Sequence, residues 1–269
     1  MRLTRILFPM LALGAAVFAP VNSLRADESA GVQGKAIVAA VLGSGQASYS
    51  TDHGATWTPL PVNQELTSGA AIKTQGDATV DLFVNGVSSI RVTRDSEVAF
   101  DTLSRTGSSA EMDTTTLINL KSGTVLGNAR KLSQASSYGI NTPQGLARIH
   151  GTQFLVTARP TAADGFQVTF TCVRDLIYVD ATTGPGGSTV TQALLSGETW
   201  TPGQQPQPIP AGLDIIDQIA AEIAELLQNI QNNPNPGLHV PGPTIIAGII
   251  TSILDEFHPP VSSSITGVE

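Results

Sequence analysis

Thr79-Val80-Asp81-Leu82-Phe83-Val84-Asn85-Gly86-Val87-Ser88-Ser89-Ile90-Arg91-Val92 decides the fold class. Val80, Leu82 and Val84 alternate with Thr79, Asp81 and Phe83, the two-residue period of a strand with one buried face. Asn85-Gly86 follows, a pair that tolerates the positive φ angles of a tight hairpin turn. Ile90 and Val92 then alternate with Arg91 and Thr93 on the return. Asp95-Ser96 supplies another turn, after which Val98 and Phe100 alternate with Glu97, Ala99 and Asp101.

Outward from this hairpin the same grammar continues. Strand patterns punctuated by Gly, Asn, Asp and Pro lie at 117–121, 124–130, 137–141, 146–150, 153–158, 166–173, 176–181, 189–195 and 198–201. The Ser/Thr-rich stretch 104–115 reads as a loop between two strand groups. So many short strands predict an all-β body over 31–203, a sandwich, a barrel or a short β-helix. No fixed period recurs, which argues against a long solenoid.

The pattern changes after Gly203. Residues 204–212 hold Pro206, Pro208 and Pro210 among glutamines and read as a semi-rigid linker. Over 213–258 the period becomes helical. Ile216, Ile219, Ile223, Leu226 and Ile230 recur at three- and four-residue spacing, with Glu222, Glu225 and Gln228 elsewhere on the wheel. Asp214 is a candidate cap, and Pro234 and Pro236 end the helix. A second apolar stretch, Ile245 to Phe257, is too short to span a bilayer. The expectation is therefore a compact β-domain, short β-helix or sandwich-like, with a C-terminal two-helix appendage. The apolar helical stripe packs either on its own chain or on a partner, including a sister chain in a homo-oligomer, because it cannot stay exposed.

At the other end, Arg2 and Arg5 precede an apolar run from Ile6 to about Val21, then Ser23, Ala26 and the acidic Asp27. This is the layout of a secretory signal peptide over residues 1–26, with cleavage after Ser23 as the alternative. Its removal takes three arginines, so the net charge of −8 becomes −11. An acidic mature chain has no electrostatic footprint for nucleic acid. The expected location is periplasmic or extracellular, with no transmembrane span after cleavage.

Candidate chemistry is thin. Cys172 is the single cysteine, which excludes an intramolecular disulfide and a multi-cysteine metal site. It alternates with Val168 and Phe170, and reads as a buried small apolar residue. His53, His150, His239 and His258 lie far apart. No nucleophile elbow, zinc-binding helix motif or phosphate loop occurs. Asp81, Asp95, Asp101, Arg91 and Arg94 read as the solvated face of alternating strands, with a lyase- or glycosidase-like groove as the sharper alternative. Neither a cofactor nor a metal site nor a catalytic residue is expected. Ser50-Thr51-Asp52-His53-Gly54-Ala55-Thr56-Trp57 matches the Asp-box hairpin turn of sialidase-like propellers, but a single copy predicts one hairpin rather than a propeller.

One family does share the longer pattern. Gly69-Ala-Ala-Ile-Lys-Thr74, Ala78-Thr-Val-Asp-Leu-Phe-Val84 and Ile90-Arg-Val92 resemble the opening of the FecR domain, and Leu117-Ile-Asn-Leu-Lys-Ser-Gly123 its middle. The run Thr142-Pro143-Gln-Gly145-Leu-Ala147-Arg-Ile149-His-Gly151-Thr152-Gln-Phe154-Leu-Val156 is similar to its most specific motif, with His150 where many relatives have Arg. Leu194-Leu-Ser-Gly197-Glu-Thr-Trp200 resembles its closing strand. The motif residues Thr142, Pro143, Gly145, Gly151, Thr152 and Phe154 have structural meaning: a corner at Pro143, turn or bulge geometry at the glycines, a backbone bond from Thr152 and core packing by Phe154. The resemblance implies a fold and an envelope-side interaction module. The sigma-regulating role of such proteins needs a cytoplasmic N-terminal segment and a membrane helix, and does not carry over. The expected function is non-enzymatic binding of an envelope protein or glycan, in signalling or assembly; a secreted carbohydrate-active enzyme on a β scaffold is the alternative.

Overall fold

The computed structural model describes residues 32–108, 111–163, 165–183, 187–210, 221, 224–226 and 228–233. Residues 1–26, read above as a signal peptide, the stretch 245–257 and the stripe residues Ile216, Ile219 and Ile223 lie outside the described residues.

Asn85 and Gly86 take φ of 53° and 76°, as a tight hairpin turn requires, and Val80–Val84 pairs antiparallel with Ser88–Val92. In chain order the strands are β1 (Val32–Gln33), β2 (Ala36–Leu42), β3 (Gln46–Ser50), β4 (Thr58–Pro59), β5 (Glu65–Leu66), β6 (Ala71–Gln75), β7 (Thr79–Val84), β8 (Ser88–Val92) and β9 (Glu97–Ser108). Then come β10 (Glu111–Ala129), β11 (Ser137–Thr142), β12 (Gly145–Ile149), β13 (Gln153–Pro160), β14 (Phe166–Arg174), β15 (Leu176–Thr183), β16 (Ser188–Leu195), β17 (Glu198–Trp200) and β18 (Gln207–Pro208).

Two sheets result. The first runs β4–β3–β6–β9–β10–β11–β12–β15–β16, with β1 beside the far half of β9. The second runs β5–β2–β7–β8–β10–β13–β14–β17–β18. The 19-residue β10 belongs to both, pairing β9 and β11 with its first part and β8 and β13 with its last. The handover sits at a bulge beside Ser122 and Gly123. Gly123 has φ of +94°, and a Cβ there would lie 2.0 Å from Ser96 Oγ. The β10–β11 ladder is parallel and the other ladders among the described residues are antiparallel. A β-helix stacks parallel coils, so this all-β body of two sheets joined through β10 is not one.

One core fills the space between the sheets. Alternating residues of both contribute: Ile118, Tyr138, Ile140, Ile177 and Val179 from the first, Val80, Leu82, Ile90, Phe154 and Phe170 from the second. Trp200 stacks near Phe170 with ring centroids 6.3 Å apart, and Tyr138 lies 6.1 Å from Phe154. Each such fully buried side chain contributes about 1.5–3 kcal/mol over its exposed state. Asn85 stitches the first sheet to the turn: its Nδ2 donates to Thr116 Oγ1 at 2.8 Å and its Oδ1 accepts from Lys35 N at 3.1 Å.

Four expectations need correction. The described residues of the 104–115 stretch are no loop but strand, 104–108 in β9 and 111–115 in β10, with Thr114 buried. Its β-branched threonines suit a ladder although its polarity hides the apolar alternation. The Pro-rich linker is laid on the second sheet: Gln207–Pro208 pairs with β17, Ile209 N donates to Gly197 O at 2.7 Å, and Ile209 is buried. The two-helix appendage is one short helix among the described residues, helical at 221, 224–226 and 228–232. Asp81 and Arg91 are not solvated. They lie on the outer face of β7 and β8, where the helix covers them: Arg91 bonds Asp81 through both Nε (2.7 Å) and Nη2 (2.9 Å).

The helix meets the sheet through a polar stripe at four-residue spacing. Glu225 accepts from Arg91 Nη1 (3.1 Å), Asn229 Nδ2 donates to Asp81 Oδ2 (2.8 Å), and Asn233 Nδ2 donates to Ala39 O (2.7 Å). Leu226 and Ile230, the described members of the apolar stripe, are buried within the single chain. No helix among the described residues is long and apolar enough to cross a membrane.

Candidate binding groove on sheet one

The FecR-like motif runs from the end of β11 through β12, both in the first sheet, into β13 of the second. Thr142 Oγ1 donates to Gly145 O (2.7 Å) and accepts from Gly145 N (3.1 Å), closing the β11–β12 turn whose tip is the exposed Pro143. Gly145 has no positive φ; its reason is approach, since a Cβ would lie 2.6 Å from Asp180 O of β15. Gly151 does turn, with φ of +86°, and a Cβ there would lie 2.6 Å from Lys131 Cα. Thr152 Oγ1 donates to Leu176 O at 3.0 Å, and Phe154 is fully buried.

In the first sheet β11 and β12, with β10 and β15 on either side, floor a groove of about 760 Å³ on the outer face. The ladders set Leu117 beside Gly139, Gly139 beside Arg148 and Arg148 beside Tyr178, one line across four strands. Gly139 makes the trough: a Cβ there would come within 3.0 Å of Leu146 Cδ1 and 3.1 Å of Leu117 Cδ1. Leu117, Leu146 and Tyr178 give the groove an apolar lining, and Thr115, Ser137 and Thr191 add hydroxyls. Arg148 Nη2 and Thr191 Oγ1 both donate to Asp180 Oδ1, at 2.9 and 2.6 Å, so this one charged pair is fixed before anything binds. Apolar contact with a few oriented polar groups is how concave sites hold a ligand. Sequence reasoning singled out none of Gly139, Tyr178 and Thr191. The outward phase of β12 and β15 was available as a signal, with Tyr178 45% exposed in mid-strand.

The other candidates stay apart. Asp81 is held by Arg91, Asp95 Oδ1 accepts from Gly76 N (3.0 Å), and Asp101 Oδ2 accepts from Asn119 Nδ2 (3.3 Å), three separate structural bonds. Among the described residues no three metal-ligating side chains converge. Ser50–Trp57 forms one hairpin turn. Asp52 Oδ1 accepts from Thr56 N (2.9 Å) and Ser50 Oγ (2.6 Å), and Oδ2 from Thr56 Oγ1 (2.7 Å). These bonds, that from Ser50 foremost, hold the Asp52 carboxyl well below the ordinary carboxylate range. Trp57 lies beneath Gly54, with Lys73 Nζ 5.4 Å from its ring centroid, and His53 sits at the turn tip with φ of 59°.

No curated protein matches the chain. Two crystal structures of a candidate anti-sigma factor from Parabacteroides distasonis are similar at 13% identity and a TM-score of 0.37, over 53% of this chain and 56% of theirs. The chain thus spans about half the length of these solved proteins. The family model described as FecR protein matches residues 70–172, from just before β6 into β14. That span contains the Thr142–Phe154 motif and the β10–β11–β12 floor of the groove, and the chain carries a FecR domain.

Proposed function

We propose that this chain is a non-enzymatic, exported FecR-domain module that holds an envelope partner, protein or glycan, in the groove of its first sheet. The trough over Gly139 carries the reading: a concave, mostly apolar surface with a preset Arg148–Asp180 pair. The amino-terminal signal-like segment supports export.

The test is photo-crosslinking in the native cell, from a reactive amino acid at Thr115 in the groove and from one at Val62, exposed and outside the groove lining. An adduct of defined mass from Thr115 and none from Val62 is the expected result. Gly139→Val should abolish that adduct by filling the trough, because Gly139 has no positive φ and its neighbours are flexible Leu side-chain ends. Equal adducts from both positions, or an adduct that survives Gly139→Val, would overturn the groove as the docking surface. The mature amino terminus read by mass spectrometry tests export independently.

A further inference from the structure

A second concavity adjoins the groove, sharing His150 and Tyr178 with it. It holds about 470 Å³ and forms where three pieces of chain meet: the exit of β10, the Gly151 turn and the β14–β15 turn. The ladders set Asn128 beside Gln153 and Gln153 beside Arg174, one line at the end of the second sheet. A bulge at Val173 breaks the β13–β14 register just there. The contact of the Lys131 backbone with Gly151 fixes the Lys131 side of the pocket.

Two observations converge. Arg130, Lys131 and Arg174 line the pocket against one carboxylate, Asp175, in a chain whose net charge is −8. A local excess of cations in an acidic protein selects anions. Independently, Gln153 is 3% exposed, and its Oε1 is buried with no hydrogen-bond partner. Buried carbonyls are nearly always paired, so this acceptor marks a position where a ligand donor belongs.

We infer that the pocket at the Gly151 turn binds an oxyanion that carries a neighbouring hydroxyl group, as a sugar acid or a sugar phosphate does. The cations take the carboxylate or phosphate, and Gln153 Oε1 accepts from the hydroxyl. This site adjoins the partner groove but uses other residues, Lys131 and Gln153, so its failure leaves the groove reading intact.

Calorimetry on the full chain at low salt tests it with four probes: D-glucuronate, glucose 6-phosphate, acetate and glucose. Either or both acids should bind, more weakly as salt rises, and which one binds names the oxyanion. Acetate, which lacks the hydroxyl, should bind several-fold more weakly, and glucose, which lacks the charge, should not bind. Lys131→Gln should raise Kd about tenfold, the size of one charge-assisted hydrogen bond. Gln153→Leu should erase the preference for the hydroxylated acid over acetate; if that variant does not fold, Lys131→Gln and the salt series still decide. No binding by either acid, binding of glucose as tight as theirs, or a Kd unmoved by Lys131→Gln overturns the inference.

Discussion

Arg91 of β8 bonds Glu225 of the helix at 3.1 Å, across 134 positions of sequence, while its other donors hold the buried Asp81. The three groups differ sharply in exposure: the side chains of Asp81 and Arg91 are 0% and 5% exposed, and that of Glu225 is 55% exposed. Burial alone lowers the Arg91 pKa, but the bonds and charge of Asp81, with a smaller contribution from Glu225, outweigh it and the net shift is upward. Arg91 thus stays charged inside, and its partner is indispensable.

Asp81→Ala should therefore cost about 3–5 kcal/mol, because it strands a buried guanidinium. Glu225→Gln should cost less than about 1 kcal/mol, since its charge is largely screened by solvent. Urea unfolding of both variants gives the comparison. Equal losses would mean that the helix, rather than Asp81, neutralises Arg91.

The Asp52 turn predicts an acid-labile corner. The carboxyl lies well below its ordinary value of 3.8, so the stabilisation is present above about pH 4 and is lost as pH falls through the depressed folded value. Amide exchange at Thr56, read by NMR, should accelerate across that acid range. Asp52→Asn should exchange faster at neutral pH and show a flatter pH dependence.

Glycines separate approach from conformation. Gly203 has φ of +89° and open space around it, so Gly203→Ala should cost about 1–2 kcal/mol for the left-handed backbone alone. Gly151→Ala adds the clash with Lys131 backbone and should cost distinctly more. Thermal melts of the two variants measure the difference; equal melting temperatures would mean that Lys131 yields at little cost.

The hairpin at Asn85-Gly86, the alternation and the glycine–threonine motif were legible because each is a local rule: period two, positive φ, a hydroxyl within three residues. What escaped the sequence is what distance decides. Asp81 and Arg91 have the spacing of solvated residues, and only the arrival of Glu225 and Asn229 makes them buried. Glu225 reads as the wet side of its helix because spacing marks only the apolar stripe as a docking face. The 104–115 segment hid its strands since Thr114 is buried by ladder pairing and not by apolarity, as is Thr116 just beyond it, whose hydroxyl accepts from Asn85. The groove was illegible for a related reason: Gly139 matters through the side chains of Leu117 and Leu146 on the strands beside it.

Cys172 provides a probe of how the second sheet opens. It is fully buried on β14 beside Val168 and Phe170 on the same inward face, with its Sγ 3.5 Å from Arg174 O and 3.4 Å from Asp175 O. A thiol there reacts only when the structure around it opens, so a thiol reagent should leave the native protein unlabelled over minutes and label the denatured chain at once. The free energy of opening obtained from labelling rates should equal that of global unfolding, because β14 is paired on both edges, by β13 and β17. The β17 ladder joins only three residue pairs, at Phe170, Thr171 and Cys172. Labelling that runs ahead of global unfolding would locate the weak point there: the β17–β18 flap would be lifting off β14 while the rest of the two sheets stays closed.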